Sequence, residues 1–305
     1  MPAFKSQVLV ITAPGHAPCL NDTLTDTITR FLAKDAVIER RWLAQGEAWE
    51  VEFVNQADGG EHIRQQAATA LLGLPVDINI LPGDAELRRK RLLVADMDST
   101  IIEQECIDEI ADFANVRDEV SEITERAMRG ELDFEEAINS RVALLEGLPI
   151  SIVDEIIENR LTIMPGAQTL VATMKANGAK TALVSGGFTD FTSRISKIVG
   201  FETNQANVLE TADDHLTGTV KKPILGKEAK LAALNAYASE AGIPLTLTLA
   251  VGDGANDLAM INAAGLGVAY RAKQIVAEAA EASIRHGNLE TLLYLQGYQR
   301  KEFVD

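Results

Sequence analysis

The chain has 305 residues, more than one hydrophobic core holds, and 47% hydrophobic with 24% charged content fits a soluble globular protein of more than one domain. A formal net charge of −17 argues against nucleic acid or an anionic membrane as partner, and a phosphate site on such a surface needs its own local cations. No apolar run approaches the roughly 20 residues of a membrane span, and the stretch Val8-Leu9-Val10-Ile11 is too short for a signal peptide.

A strand is expected over 7–12 and a helix over 21–34, with Asn21 or Asp22 as its cap and Leu24, Ile28, Phe31 and Leu32 on one face. Two extended runs follow, turning near Gln45-Gly46, the second pointing Trp49, Val51 and Phe53 inward. A helix over 60–72 and a strand over 76–81 complete the order strand, helix, strand, strand, helix, strand. This is the ferredoxin-like pattern, and residues 1–84 are expected to form one α+β domain. Its topology resembles the ACT domains, small ligand-sensing modules that accompany amino-acid enzymes. That resemblance implies amino-acid sensing, here L-serine binding; a homodimer contact or a plain packing module explains the same topology equally well.

Pro82-Gly83-Asp84 and the basic cluster Arg88-Arg89-Lys90-Arg91 read as a polar linker. Next comes Leu92-Leu93-Val94-Ala95, a short apolar run that reads as a buried parallel strand. It ends in Asp96-Met97-Asp98-Ser99-Thr100, so two carboxylates project at the carboxyl end of a strand, where open α/β sheets bind ligands. Such a pair repels itself unless a cation or a shared proton relieves it, and with oxygen ligands the expected cation is Mg²⁺.

Residues 103–160 read as helices over 104–113, 117–129, 133–145 and 151–160, a block expected to act as a cap over the first loop. From Pro165 strands and helices alternate: a helix over 167–177, a strand over 180–184, Ser185-Gly186-Gly187 and a helix from Phe188. A hairpin is expected over 206–220, a helix over 227–240, and a strand over 245–251 that ends in Gly252-Asp253-Gly254-Ala255-Asn256-Asp257. The fold class is therefore α/β, a Rossmann-like parallel sheet over 85–102 and 161–305 with the helical cap over 103–160 inserted. Cys19 and Cys106 lie far apart and form no metal or redox spacing, which fits a reducing cytoplasm, and His16, His62, His215 and His286 are too scattered for zinc.

Four segments carry groups suited to phosphate: the Asp96 and Asp98 pair, the Ser185 loop with its hydroxyl and glycine amides, the cation Lys227, and the carboxylates Asp253 and Asp257. Singly, each is as well explained as a turn or a solvated face. Together they are the inventory for phosphoryl transfer. Asp-Met-Asp-Ser-Thr, Ser-Gly-Gly-Phe, the lysine and Gly-Asp-Gly-Ala-Asn-Asp resemble the four ordered motifs of the haloacid dehalogenase superfamily, and their wording is similar to its phosphoserine phosphatase branch, over roughly residues 90–296. The resemblance implies a cytoplasmic Mg²⁺-dependent hydrolysis of phosphoserine, the last step of serine biosynthesis, through an aspartyl-phosphate. Asp96 is then the nucleophile and Asp98 the proton donor and acceptor. The metal is held by Asp96, the backbone carbonyl of Asp98 and Asp253, with Asp257 orienting from behind. Ser185, Gly186, Lys227 and Asn256 hold phosphate, Glu105 meets the substrate ammonium, Arg141 its carboxylate, and Met128 and Phe134 shield the site. The alternative on the same fold is a broader phosphomonoesterase or phosphotransferase acting on another small phosphorylated metabolite.

Overall fold

The computed structural model describes residues 6–33, 36–54, 60–128 and 131–304, with the side chains of Met128 and Lys227 outside the description. The chain begins β1 (Ser6–Thr12), α1 (Asp22–Thr29), β2 (Val37–Ala44), β3 (Ala48–Val54), α2 (Glu61–Ala70) and β4 (Asp77–Pro82). The strands form an antiparallel sheet in the order β2-β3-β1-β4, the expected ferredoxin-like arrangement. Alternation along β1 sends Leu9 and Ile11 toward Ile28, Ile63 and Ala67, while Val8 and Val10 face the main core of the molecule. Both faces of this sheet are thus covered. Asn21 caps α1 by accepting from the Leu24 amide at 3.0 Å. The helix stops at Thr29, short of the expected 34, and Lys34 lies outside the described residues. Thr25, Thr27 and Thr29 are β-branched and turn their hydroxyls back on to helix carbonyls, which weakens the turns they occupy.

The basic cluster is not a solvated linker. It enters a short helix, α3 (Ala85–Arg88), and two of its four cations are buried. Arg88 pairs with the buried Glu50 at 2.8 Å. Lys90 Nζ donates to the carbonyls of Leu87, Thr246 and Gly265 at 2.6, 2.9 and 2.8 Å. Composition marks such a run as surface, and here specific acceptors overrule composition.

The second sheet starts at β5 (Leu92–Ala95). The chain leaves it for α4 (Cys106–Phe113), α5 (Arg117–Met128), α6 (Phe134–Ala143) and α7 (Ile152–Asn159). It returns through α8 (Ala167–Ala176), β6 (Lys180–Phe188), α9 (Thr189–Val199) and β7 (Thr203–Asn207). A hairpin of β8 (Leu209–Ala212) and β9 (His215–Val220) precedes α10 (Lys227–Glu240), β10 (Thr248–Gly252), α11 (Leu258–Ala263), β11 (Leu266–Tyr270), α12 (Gln274–Ala279), β12 (Ala282–Ile284) and α13 (Thr291–Leu295). The sheet order is β12-β11-β10-β5-β6-β7, with all neighbours parallel. From β5 the chain winds one way to β7 and then, from β10, the other way to β12. The switch point lies between β5 and β10, and the crevice there opens at the ends of Ala95 and Gly252.

The hairpin belongs spatially to the helical block, which the sequence reading confined to residues 103–160. Asp213 and Asp214 take left-handed φ values of 50° and 60° in its turn. Gly147 N and Leu216 O, Leu216 N and Leu148 O, and Ile150 N and Asp214 O then join at 2.8, 2.8 and 2.9 Å. The roof over the crevice is therefore helices plus hairpin.

Candidate active site

Asp96 continues β5 by one residue, its amide donating to Val251 O at 3.0 Å. That contact fixes its buried side chain beside the end of β10. Lys230, on α10, reaches Asp96 Oδ1 at 2.7 Å and Asp257 Oδ1 at 2.6 Å, and is itself buried. Asp253 follows β10 directly and accepts from Thr100 Oγ1 at 3.4 Å. Carboxylate oxygens of Asp96, Asp253 and Asp257 lie within 4.8 Å of one another. Three carboxylates share one ammonium here. Burial and then the charge of Asp96 push Asp253 up to about 6 and Asp257 up to about 7. Burial works against charged Lys230, but Asp96 and Asp257 outweigh it and hold its pKa above the ordinary lysine range. An all-oxygen, electron-rich cluster with surplus negative charge suits a hard divalent cation such as Mg²⁺. Gly252 has to be glycine, since a Cβ there stands 2.3 Å from Asp257 Cγ.

Asp98 sits between two donors, Cys106 N to Oδ1 and Ser185 Oγ to Oδ2, both at 2.9 Å. Burial and then Asp96 raise its pKa, which favours a proton-carrying form. The next residue, Ser99, adopts a left-handed φ of 54°, strained for a residue with a Cβ, and its hydroxyl donates to Glu105 Oε1 at 2.7 Å. Glu105 stands at the N-cap of α4 but makes no side-chain cap bond there. Its carboxylate faces the crevice instead.

That crevice is a cavity of about 470 Å³ between the strand ends and the roof. Asp96, Asp98, Asp253 and Lys230 line its floor, Ser185, Gly186 and Asn256 its side, and Glu105, Phe134 and Arg141 its cap wall. Phe134 stands over the loop, 3.6 Å from where a Cβ on Gly186 would lie. Arg141 is mostly buried. Its Nε donates to Ala137 O at 3.3 Å, and it forms no ion pair with another described residue, Glu136 and Glu146 included. Burial lowers its pKa, opposed by Asp108 and Glu105. A carboxylate and a guanidinium with no ion pair among the described residues thus look into one cavity above the buried carboxylate of Asp96.

The described cation in the site is Lys230, one helical turn beyond Lys227, which opens α10. The expectation placed on Lys227, like that on Met128, falls on a side chain outside the described residues. The available signal was position: Lys230 stands three and four residues before the buried Ala233 and Leu234, so it is a lysine on the apolar stripe of its helix. Asp257 lies behind the floor, bonded to Lys230 and to the Gly254 amide at 3.0 Å. The sequence reading also passed over Asn207, buried at the end of β7 beside the Ser185 loop.

A parallel sheet with this switch point, a roofed crevice and carboxylates at two adjacent strand ends define a class, and residues 93–262 match the model of the haloacid dehalogenase-like hydrolases. The chain belongs to that family. More particularly, it is 43% identical over 295 residues to the phosphoserine phosphatase of Streptomyces coelicolor, covering 96% of this chain and 71% of that protein. The crystal structure of a probable phosphoserine phosphatase from Vibrio cholerae superposes with a TM-score of 0.78 at 34% identity, over 96% of this chain and 86% of that one. A substrate-bound phosphoserine phosphatase complex superposes with a TM-score of 0.62 at 41% identity, over 68% and 98%.

Proposed function

We propose that this chain is a Mg²⁺-dependent phosphatase that hydrolyses O-phospho-L-serine to L-serine and phosphate, the closing step of serine biosynthesis. One observation carries the reading: Glu105 and Arg141 share a cavity with Asp96, whose Oδ1 lies 2.7 Å from Lys230. A zwitterionic amino acid esterified with phosphate needs an anion, a cation and a nucleophile in that arrangement.

Asp96, Asp253 and the backbone carbonyl of Asp98 would hold Mg²⁺, which when bound supplies positive charge against the phosphate oxygens. Lys230 holds Asp96 and adds a second cation at the floor. Asp96 attacks phosphorus and forms an aspartyl-phosphate as the P–O bond to serine breaks. Asp98 gives its proton to the departing serine oxygen, then takes one from the water that hydrolyses the acyl-phosphate. The Gly186 amide and Asn256 bind phosphate oxygens from the side wall, beside the Ser185 hydroxyl, which directs its one proton to Asp98. Glu105 meets the ammonium, Arg141 the carboxylate, and Phe134 excludes water.

The working division is the N-terminal domain 1–84, the catalytic core 85–102 with 161–305, and the cap 103–160. For the N-terminal module we propose L-serine binding or a homodimer contact, as its ACT-like topology suggests. We place the enzyme in the cytoplasm, in keeping with its two free cysteines. Phosphate release from phosphoserine, phosphothreonine and a sugar phosphate at matched concentration, with and without EDTA, tests the assignment. Phosphoserine is expected to lead and EDTA to abolish release. Equal rates on all three would favour the broader phosphomonoesterase.

A further inference from the structure

Asn207 is 2% exposed, and its amide makes hydrogen bonds to backbone alone. Its Nδ2 donates to Gly186 O at 2.8 Å and to Leu225 O at 3.3 Å, and its Oδ1 accepts from Leu225 N at 2.7 Å. The Gly186 carbonyl shares a peptide group with the Gly187 N–H, which donates to Ser185 Oγ at 2.8 Å. Asn207 therefore pins one end of a peptide whose other end fixes a hydroxyl. An oxygen already accepting from Gly187 sends its own proton elsewhere, and the acceptor it meets is Asp98 Oδ2 at 2.9 Å. The result is a directed chain from Asn207 through the Gly186–Gly187 peptide and the Ser185 hydroxyl to Asp98.

We propose that Asn207 is a positioning residue for proton transfer: by pinning that peptide it aims the Ser185 hydroxyl at Asp98 and locks the orientation of the carboxyl that protonates the leaving oxygen. The inference rests on the reading of Asp98 as acid toward an alkoxide. It adds a residue that touches neither phosphate nor metal. The same amide grips Leu225, two residues before α10 begins, so the Ser185 loop and the helix bearing Lys230 are set by one clamp.

The test uses leaving groups that differ in their need for a proton. The alkoxide of serine or of a plain alkyl phosphate needs one, and nitrophenolate leaves without it. For Asn207→Ala and the isosteric Asn207→Asp, kcat/KM is measured on phosphoserine, ethyl phosphate and p-nitrophenyl phosphate, each set on one enzyme preparation. The ratios between substrates are then independent of how much of a variant is folded. The two alkyl esters are expected to lose about 30-fold, a fraction of the roughly 10²- to 10⁴-fold that general acid catalysis supplies, and the aryl ester less than about threefold. Adding Asn207→Ala to Ser185→Ala is expected to leave the alkyl-to-aryl ratio where Ser185→Ala alone puts it. Equal losses on all three esters, a loss on phosphoserine alone, or a further ratio change in the double variant would overturn the proposal. A wild-type enzyme inactive on phosphoserine but active on the other two would instead overturn the substrate assignment.

Discussion

Lys230 balances the floor of the crevice. Without its ammonium, Asp96 and Asp257 face each other with Asp253 nearby, and Asp96 loses the partner that fixes its geometry. Lys230→Ala is expected to lower kcat on phosphoserine by at least about 10³-fold, and Lys227→Ala by less than about threefold, in steady-state assays. The opposite ranking would restore the first assignment. The motif aspartates were legible because their chemistry requires a residue type at a strand end, and strand ends can be read from apolar runs. The lysine was not, because positions 227 and 230 stand on one side of the same helix and only packing separates them. Glu105 provides a second test at this scale. Burial in the crevice and then Asp98 push its carboxyl up, although it opens on to cavity water, which moderates the effect. A raised folded value means that the folded chain keeps a proton the unfolded chain releases above about 4.5. The stability linked to that proton is whole below this value, declines as pH rises, and is gone once pH passes about 8. In EDTA, Glu105→Gln is expected to melt with the wild type near the acid limit and above it at alkaline pH. A variant that melts lower at alkaline pH would show Glu105 to be stabilising when charged.

Among the elements, α6 joins roof to site. Asp133 accepts from Glu136 N at 2.8 Å and Glu136 Oε2 accepts from Asp133 N at 2.9 Å, a capping box that sets the helix start beside Phe134. From that start, Arg141 falls two turns along, on the wall of the cavity. A guanidinium gripping a carboxylate contributes about 1.5–3 kcal/mol, so Arg141→Ala is expected to raise KM for phosphoserine by roughly 10- to 150-fold. KM for a phosphate ester lacking a carboxylate should move by less than about threefold. Equal shifts would remove Arg141 from substrate recognition. The helices of the roof were legible from their periodicity and turn residues. The docking of the hairpin was not, since it runs through backbone bonds such as Gly147 to Leu216, and backbone groups leave no mark in a sequence.

At the scale of the whole molecule, the N-terminal sheet is built into the rest. Val8, Val10 and Leu81 pack in one core with Tyr294 and Tyr298, so the isolated segment 1–84 would expose them to water. Polar groups complete the joint. Asn79 exchanges hydrogen bonds with Ser283, donating to its carbonyl at 3.1 Å and accepting from its amide at 2.9 Å. Asp77 accepts from the amides of Arg285 at 2.8 Å, His286 at 3.2 Å and Gly287 at 2.9 Å, and is 5% exposed. Nothing in the sequence marks these pairings, because the partners lie some two hundred positions away. The wild type is expected to unfold in one cooperative transition that carries both sheets. Asp77→Ala takes the acceptor from three N–H groups, of which that of Gly287 is buried, and a buried one costs about 1–3 kcal/mol unless water reaches it. A loss of about 3 kcal/mol in urea denaturation is expected, with the N-terminal sheet now melting ahead of the catalytic core as two resolved transitions in calorimetry. A variant that keeps one transition and loses less than about 0.5 kcal/mol would mean that the apolar contacts of Val8, Val10 and Leu81 alone hold the two sheets together.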